Sequence, residues 1–380
     1  MTDSLRQEIA QRSDTIVVKV GTRVLTRDDG TLHRERIASI ADQLHRMMVA
    51  GRRVVLVSSG AVGAGMYRLG LQERPTDLAK LQAVAAVGQS ALIEAYDQTF
   101  RQHQRHAAQV LLTADSLDHR ASYLNVRNTI LALLEYGTVP IINENDTVAV
   151  DELMTTFGDN DHLAALVTNL IGAPLLIVLS DVEGLYDHDN QATKSNVIST
   201  VTKLDQSTFA LVRQQKNSLS KGGMLSKLKA AQLVTTAGEN MIIASGHDPT
   251  ILQRIVAGDP VGTLIVAQGK TISPWKRWIG LVVQPRGSLR LDIGACRAVE
   301  QNGRSLLAIG ILSAEGDFSK GDVVSLENEQ GHSFARGLIN YTRHEIDKIR
   351  GLKSQQITEV LGYLPYEEII HRDNMVVLGR

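Results

Sequence analysis

Two short clusters of acids and amides stand close together in mid-chain: Asn143-Glu144-Asn145-Asp146 and Gly158-Asp159-Asn160-Asp161. Carboxylates bring charge, carboxamides bring paired donors and acceptors, and glycine lets a backbone approach a ligand closely. Together they suit a small, charged, amino-bearing substrate beside a metal-bound phosphate. The first cluster closes the apolar run Val139-Pro140-Ile141-Ile142 and so projects from a strand end; an Asx-capped turn is the plainer alternative. The second opens a helical pattern. An N-cap role for Asp159 or Asn160 explains one of its polar residues but not all three.

Four further segments carry residues able to handle phosphate. Lys19-Val20-Gly21-Thr22 ends an apolar run, where a lysine can meet a phosphate and Gly21 offers an unobstructed backbone N–H; an ordinary solvent-facing lysine is the alternative. Val57–Gly65 holds Ser59, Gly60, Gly63 and Gly65. It reads either as an anion nest of backbone amides or as a tight turn with close packing. It is neither a Walker A loop nor G-x-G-x-x-G. Gly222-Gly223-Met224-Leu225-Ser226-Lys227 reads as a double-glycine turn before a helix with a lysine one turn in. Ser180-Asp181-Val182-Glu183-Gly184-Leu185-Tyr186 ends another apolar run and either flanks a nucleotide base or ribose or is a plain loop.

The elements that must position these residues follow from hydrophobic patterning. Consecutive apolar, β-branched runs at Thr15–Val20, Arg53–Val57, Ala107–Leu112, Val139–Ile142, Leu175–Leu179, Met241–Ala244 and Thr263–Ala267 predict strands buried on both faces. Helical spacing predicts helices over Arg34–Ala50, Thr76–Gln102, Asp118–Tyr136, Asp161–Leu170 and Met224–Thr236. This alternation predicts an α/β sandwich with a largely parallel sheet. Past Lys270 the rhythm changes to short strands punctuated by glycines: Trp278–Val283, Ser288–Leu291, Leu307–Ile311, Asp322–Leu326 and Ala335–Ile339, with one helix near Arg343–Arg350. The expected division is residues 13–269, a linker at 270–276, and a small β-rich domain at 277–363.

Composition removes several classes. Over 380 residues, 40 Lys+Arg against 41 Asp+Glu leave a net charge of −1, which argues against a strongly basic nucleic-acid binder. The single cysteine, Cys296, excludes an internal disulfide and a multi-cysteine zinc site and makes a reducing cytoplasm the expected compartment. No apolar run approaches the ~20 residues of a membrane span. His371-Arg372-Asp373-Asn374 starts like a kinase catalytic loop and Asp187-His188-Asp189-Asn190 like an EF-hand, but each lacks the rest of its motif.

In order and spacing, Lys19–Thr22, Ser59-Gly60-Ala61, Ala85-Ala86-Val87-Gly88-Gln89, Pro140–Asp146, Gly158–Asp161, Gly184-Leu185-Tyr186 and Gly222-Gly223-Met224 resemble the amino acid kinase family, in its glutamate-phosphorylating branch. The C-terminal segment resembles the PUA domain that many such enzymes carry. The resemblance implies a three-layer α/β sandwich (the amino acid kinase fold) and transfer of phosphate from ATP to the γ-carboxylate of L-glutamate. That is the first step of proline biosynthesis, with proline as an inhibitor. It further implies a homo-oligomer and Mg²⁺ held mainly by nucleotide phosphates, with no protein metal ligand. Lys19, Lys227 and Asp161 match catalytic positions. Ser59, Gly60, Asn143, Asp146 and Asn160 match glutamate-binding positions. Lys19, Gly21, Ser180, Asp181, Lys221, Gly222, Gly223, Met224 and Lys227 match nucleotide-binding positions. The chain departs from the family at Ser220-Lys221, where Gly-Thr is usual, adding a cation and removing a hydroxyl and a glycine.

Related kinases that act on aspartate carry Lys-Phe-Gly-Gly-Thr and C-terminal ACT domains, and those acting on acetylglutamate carry Gly-Gly after the first lysine; this chain has neither. An RNA-binding role for the PUA-like segment is the reading from another class, opposed by the near-neutral charge and the 4% aromatic content. A dinucleotide oxidoreductase is discouraged by the missing G-x-G-x-x-G.

Overall fold

The computed structural model describes residues 3–27, 29–148, 160–187, 196–214, 218–268, 273–363 and 366–378, and for 114–115, 213–214, 218–222 and 274 the backbone only. Chain contacts divide it into two units, Met1–Lys270 and Thr271–Arg380.

The first unit is built on an eight-stranded sheet of β1 (Thr15–Val20), β2 (Arg53–Ser58), β3 (Ala107–Leu112), β4 (Val139–Glu144), β5 (Leu175–Ser180), β6 (Thr200–Val201), β7 (Asn240–Ser245) and β8 (Thr263–Ile265). Their order across the sheet is β3-β4-β2-β1-β5-β7-β8-β6. From β3 to β7 every pairing is parallel, so all these strands end on one edge. The one reversal is β8 against β7.

β1 sits near the middle and is buried along its whole length, as its continuous apolar sequence predicts. Ile16, Val18 and Val20 join Ile37, Ile40 and Leu44 of the Arg34–Val49 helix and Leu92, Tyr96 and Phe100 of the Leu78–Gln102 helix in one apolar cluster. On the other face lie the helices Asn160–Ile171 and Ser218–Thr236, which pack on each other and on β1, β5 and β7. Strand alternation sends Lys19 to that second face.

Several elements differ from the sequence expectations. The helix expected over Asp118–Tyr136 is two, Ala114–Asp118 and Arg120–Glu135, broken at His119. The helix expected from Met224 begins at Ser218, so Gly222 and Gly223 lie inside it rather than in a turn before it. Several helices carried no expectation, among them Ser4–Arg12, Gln206–Gln214, Ile251–Ala257, Ile293–Glu300 and Ser354–Leu361. The first is fastened by buried Arg6, whose guanidinium donates to the carbonyls of Val261, Ser199 and Gly262.

In the second unit a five-stranded sheet runs Ile311–Gly316, Gly287–Leu291, Val323–Glu327, Ser333–Leu338, Met375–Val377 from edge to edge. Its core gathers Leu289, Leu291, Val324, Leu326 and Ala335 against Ile346, Ile349 and Ile357. The sheet thus takes in residues beyond Tyr363. Trp278–Val282, expected as a strand, is a π-helical turn, and Ala308–Gly310 is a 3₁₀ turn leading into the Ile311 strand. Among the described residues, no helix is long and apolar enough to cross a membrane.

Candidate active site

The ends of β1, β2, β4 and β5 bring the singled-out residues to one edge. Lys19 lies one residue from the end of β1, in register with Val57 of β2 and Val178 of β5. It is not a solvent-facing lysine: it is 6% exposed. Its Nζ lies 2.5 Å from Oδ1 of Asp161. Lys227 Nζ lies 3.1 Å from the other oxygen, Oδ2, and also donates to the carbonyl of Gly223 at 3.2 Å. Asp161 and Lys227 are likewise buried, so two ammonium groups share one carboxylate away from bulk water. Burial by itself pushes the Asp161 carboxyl up. The adjacent charges of Lys19 and Lys227 and their hydrogen bonds outweigh it and hold the group below the usual carboxylate range. Its place in the first turn of the Asn160–Ile171 helix adds a favourable dipole.

Asn160, the preceding residue, faces a different set of partners. Its Nδ2 donates to Ser59 Oγ at 2.8 Å and to Asn143 Oδ1 at 3.0 Å. Asn143 Nδ2 donates in turn to Gln89 Oε1 at 2.8 Å. Ser59, Asn143 and Gln89 are all buried. The two acidic-amide clusters therefore meet in space through Asn143 and Asn160. Asn145 acts as the local turn former, with its side chain accepting from Thr147 and its backbone N–H donating to Leu112 of β3. Asp146 lies partly buried in that same turn.

The glycines divide by task. Gly60, at φ +104°, turns the chain from β2 into the Ala61–Arg68 helix and leads it with no side-chain cap, so the first-turn amides point past the strand ends. Gly65 and Gly88 are packing glycines. A Cβ on Gly65 would meet the Val84 carbonyl at 1.8 Å, and one on Gly88 would meet the Ala61 carbonyl at 1.8 Å. They let the Ala61–Arg68 and Leu78–Gln102 helices touch. The tight-turn, close-packing reading of the Val57–Gly65 segment thus holds at Gly60 and Gly65. The expectation for Gly21 fails: its N–H is spent on the Leu179 carbonyl of β5 at 3.0 Å. A parallel neighbour strand claims that amide, which the sequence of β1 alone cannot reveal.

At the end of β5, buried Ser180 donates to Asp181 at 3.0 Å, and Arg23 holds the other Asp181 oxygen at 2.9 Å. Burial pushes the Asp181 carboxyl up, and the bonds from Arg23 and Ser180 bring it below its ordinary value. Met224 is buried, one turn before Lys227. Gly158 and Asp159 lie outside the described residues, and Lys221 and Gly222 are described by their helical backbone alone.

Sequence reasoning gave no role to Gln89 and did not name Arg23. Gln89 was within reach: it is a carboxamide on the buried face of an otherwise Ala- and Val-rich helix, where an amide needs a partner. Arg23 carried no such signal.

The arrangement offers a buried cationic pair for an anion under transfer, beside a row of amides able to recognise a polar ligand. The amino acid kinase family model matches residues 14–245, and the PUA domain model residues 287–361. The chain is 49% identical over 374 residues to the glutamate 5-kinase of Rhodopirellula baltica, covering 98% of this chain and 96% of that one. It is 45% identical to the glutamate 5-kinase of Nitrosococcus oceani, covering 95% of this chain and 96% of that one. With the glutamate 5-kinase of Thermoanaerobacter sp. the identity is 43%, covering 96% of this chain and 98% of that one.

Proposed function

Because the chain belongs to the amino acid kinase family and, within it, to the glutamate 5-kinases, we propose that it transfers the γ-phosphoryl group of ATP to the γ-carboxylate of L-glutamate, giving L-glutamyl 5-phosphate, the first step toward proline. The observation that carries the residue assignment is the buried Lys19–Asp161–Lys227 group. Two ammoniums on one carboxylate leave a positive charge to spare, where phosphoryl transfer between two anions most needs it.

The attacking carboxylate, with an ordinary pKa of about 4.3, is ionised at neutral pH and needs no general base. The protein's task is to bring it in line with the γ-phosphate and offset the repulsion. Lys19 and Lys227 contact the transferring group. Asp161 touches neither substrate and aims the two lysines. Ser59, the Gly60 turn, Asn143, Asp146 and Asn160 hold glutamate, with Asp146 on the α-ammonium. Ser180, Asp181 and the Lys221–Lys227 stretch border the nucleotide, and Gly21 shapes the strand end there without donating its N–H. Both Asp161 oxygens are committed to lysines, so this carboxylate does not suit a metal. Mg²⁺ enters as part of the Mg–ATP substrate, carried on its phosphate oxygens.

A coupled ATP-consumption assay with glutamate, aspartate and N-acetylglutamate tests the reading. Turnover is expected with glutamate; turnover of aspartate or N-acetylglutamate without glutamate overturns it. Adding proline to the same assay tests the end-product inhibition that membership of this branch implies.

A further inference from the structure

The amide network behind the pocket has a direction. Asn160 spends both Nδ2 hydrogens, one on Ser59 Oγ and one on Asn143 Oδ1. Its own Oδ1 is buried and has no hydrogen-bond partner among the described residues. An unsatisfied buried acceptor in a ligand pocket awaits a donor. A carboxamide, however, can rotate by half a turn and present an N–H instead, which would favour a carboxylate and repel an ammonium.

What fixes the direction lies one layer further back. Asn143 can offer Oδ1 to Asn160 only while its Nδ2 has an acceptor of its own, and that acceptor is Gln89 Oε1 at 2.8 Å. Gln89 Nε2 points on toward Gln109 Oε1 at 3.4 Å, a longer contact on an exposed residue and the weaker link. Each amide in the row fixes the next, so reversing one reverses all.

We propose that Gln89 is a positioning residue for substrate selection: by accepting from Asn143 it sets the polarity of the row so that Asn160 presents its carbonyl oxygen to the α-ammonium of an amino acid. The inference rests on the glutamate reading above. Gln89 is linked to Asn160 through Asn143 and acts through that row. Its loss weakens the preference for a ligand with an ammonium over the same dicarboxylate without one.

The test compares glutamate with glutarate, which lacks the ammonium. The discrimination is the ratio of the glutarate inhibition constant to the glutamate KM. In Gln89→Met, which removes the acceptor at similar volume, the ratio falls about tenfold or more, the equivalent of about 1.4 kcal/mol, with a smaller change in kcat. In Gln89→Glu the carboxylate can only accept, so the row keeps its direction and the ratio stays at or above the wild-type value. Unchanged discrimination in Gln89→Met overturns the proposal. So does an equal loss in both variants, which would mark plain packing. If Gln89→Met does not fold, loss of discrimination in Gln89→Glu alone overturns it. Wild-type protein that fails to phosphorylate glutamate would instead sink the functional reading, and that is measured first.

Discussion

Replacing Asp161 by Asn removes one negative charge and keeps the side chain's shape, leaving two buried ammoniums facing a neutral amide. An ion pair at 4 Å is worth about 4 kcal/mol at an effective dielectric near 20. Both contacts here, at 2.5 and 3.1 Å, are shorter than that. Desolvation of three buried charges takes back most of this attraction, and removing one partner from a buried pair typically costs about 3–5 kcal/mol. Asp161→Asn should therefore lower the unfolding free energy of the first unit by at least that range at pH 7, because two cations lose their partner at once. Urea unfolding followed by far-ultraviolet ellipticity, which the helices of Met1–Lys270 dominate, measures it. The chain's two tryptophans, Trp275 and Trp278, both lie in the second unit, so their fluorescence transition serves as an internal control. The pH dependence has a fixed sign. The folded-state pKa of Asp161 lies below its unfolded value, so the stabilisation is fully present above about pH 4 and is lost as pH falls through the folded pKa. The gap between wild type and variant should narrow on acidification below that point. Equal stability of the two proteins at pH 7 would refute the account of Asp161 as the holder of both lysines.

Lys227→Ala leaves the Lys19–Asp161 pair intact, so it should fold normally while kcat falls by about 10²–10³-fold, the usual cost of one transition-state electrostatic contact; steady-state kinetics beside a thermal melt checks both. Gly88→Ala places a Cβ 1.8 Å from the Ala61 carbonyl and 2.4 Å from the Gly65 nitrogen. It should cost about 1–3 kcal/mol or more as the two helices are forced apart. Gly21→Ala, whose nearest contact would be 3.4 Å at ordinary φ, should change stability by less than about 1 kcal/mol; the order of the two melting temperatures is the readout.

The parallel sheet was legible because β1, β4 and β5 are buried on both faces, and burial of that kind writes a continuous apolar run into the sequence. The same signal failed at Trp278–Val282, since a five-residue apolar run has no period long enough to separate strand from helix. Gly222-Gly223 read as a turn because glycine is a poor helix former. The Ser218–Thr236 helix runs through it, with Leu228, Ala231 and Val234 fully buried, and that packing outweighs a propensity cost of about 1 kcal/mol per glycine. The Ser4–Arg12 helix was invisible to pattern: it buries an arginine along with Ile9 and Ala10, and the terminal nitrogens of Arg6 donate to carbonyls from residues 199, 261 and 262. At the site, Lys19, Asp161 and Lys227 could be named from motif order, but not their sharing of one carboxylate. The spent amide of Gly21 and the bonds of Asn143 to Gln89 and of Asn160 to Ser59 depend on neighbours more than fifty residues away in the chain, and no local pattern encodes them.

The adjacency of Asn160 and Asp161 explains why neither cluster works alone. Consecutive residues on a helix point about 100° apart, so one peptide unit can feed two subsites without their polar groups meeting. Asn160 turns to Ser59 and Asn143, and Asp161 to Lys19 and Lys227. Had the residue beside Asp161 been a second carboxylate, its charge would have opposed that of the cationic pair at short range and weakened the attraction meant for phosphate. A neutral amide at that position recognises polar groups through dipoles and leaves the cationic pair free to meet an incoming anion. Both subsites then move with one rigid element, a helix whose Leu163, Ala164, Val167 and Leu170 are buried in the second face of the sheet. In the proposed reaction the acceptor carboxylate and the phosphoryl group are therefore brought together by a single helix turn, which fixes their separation more tightly than two independent loops would.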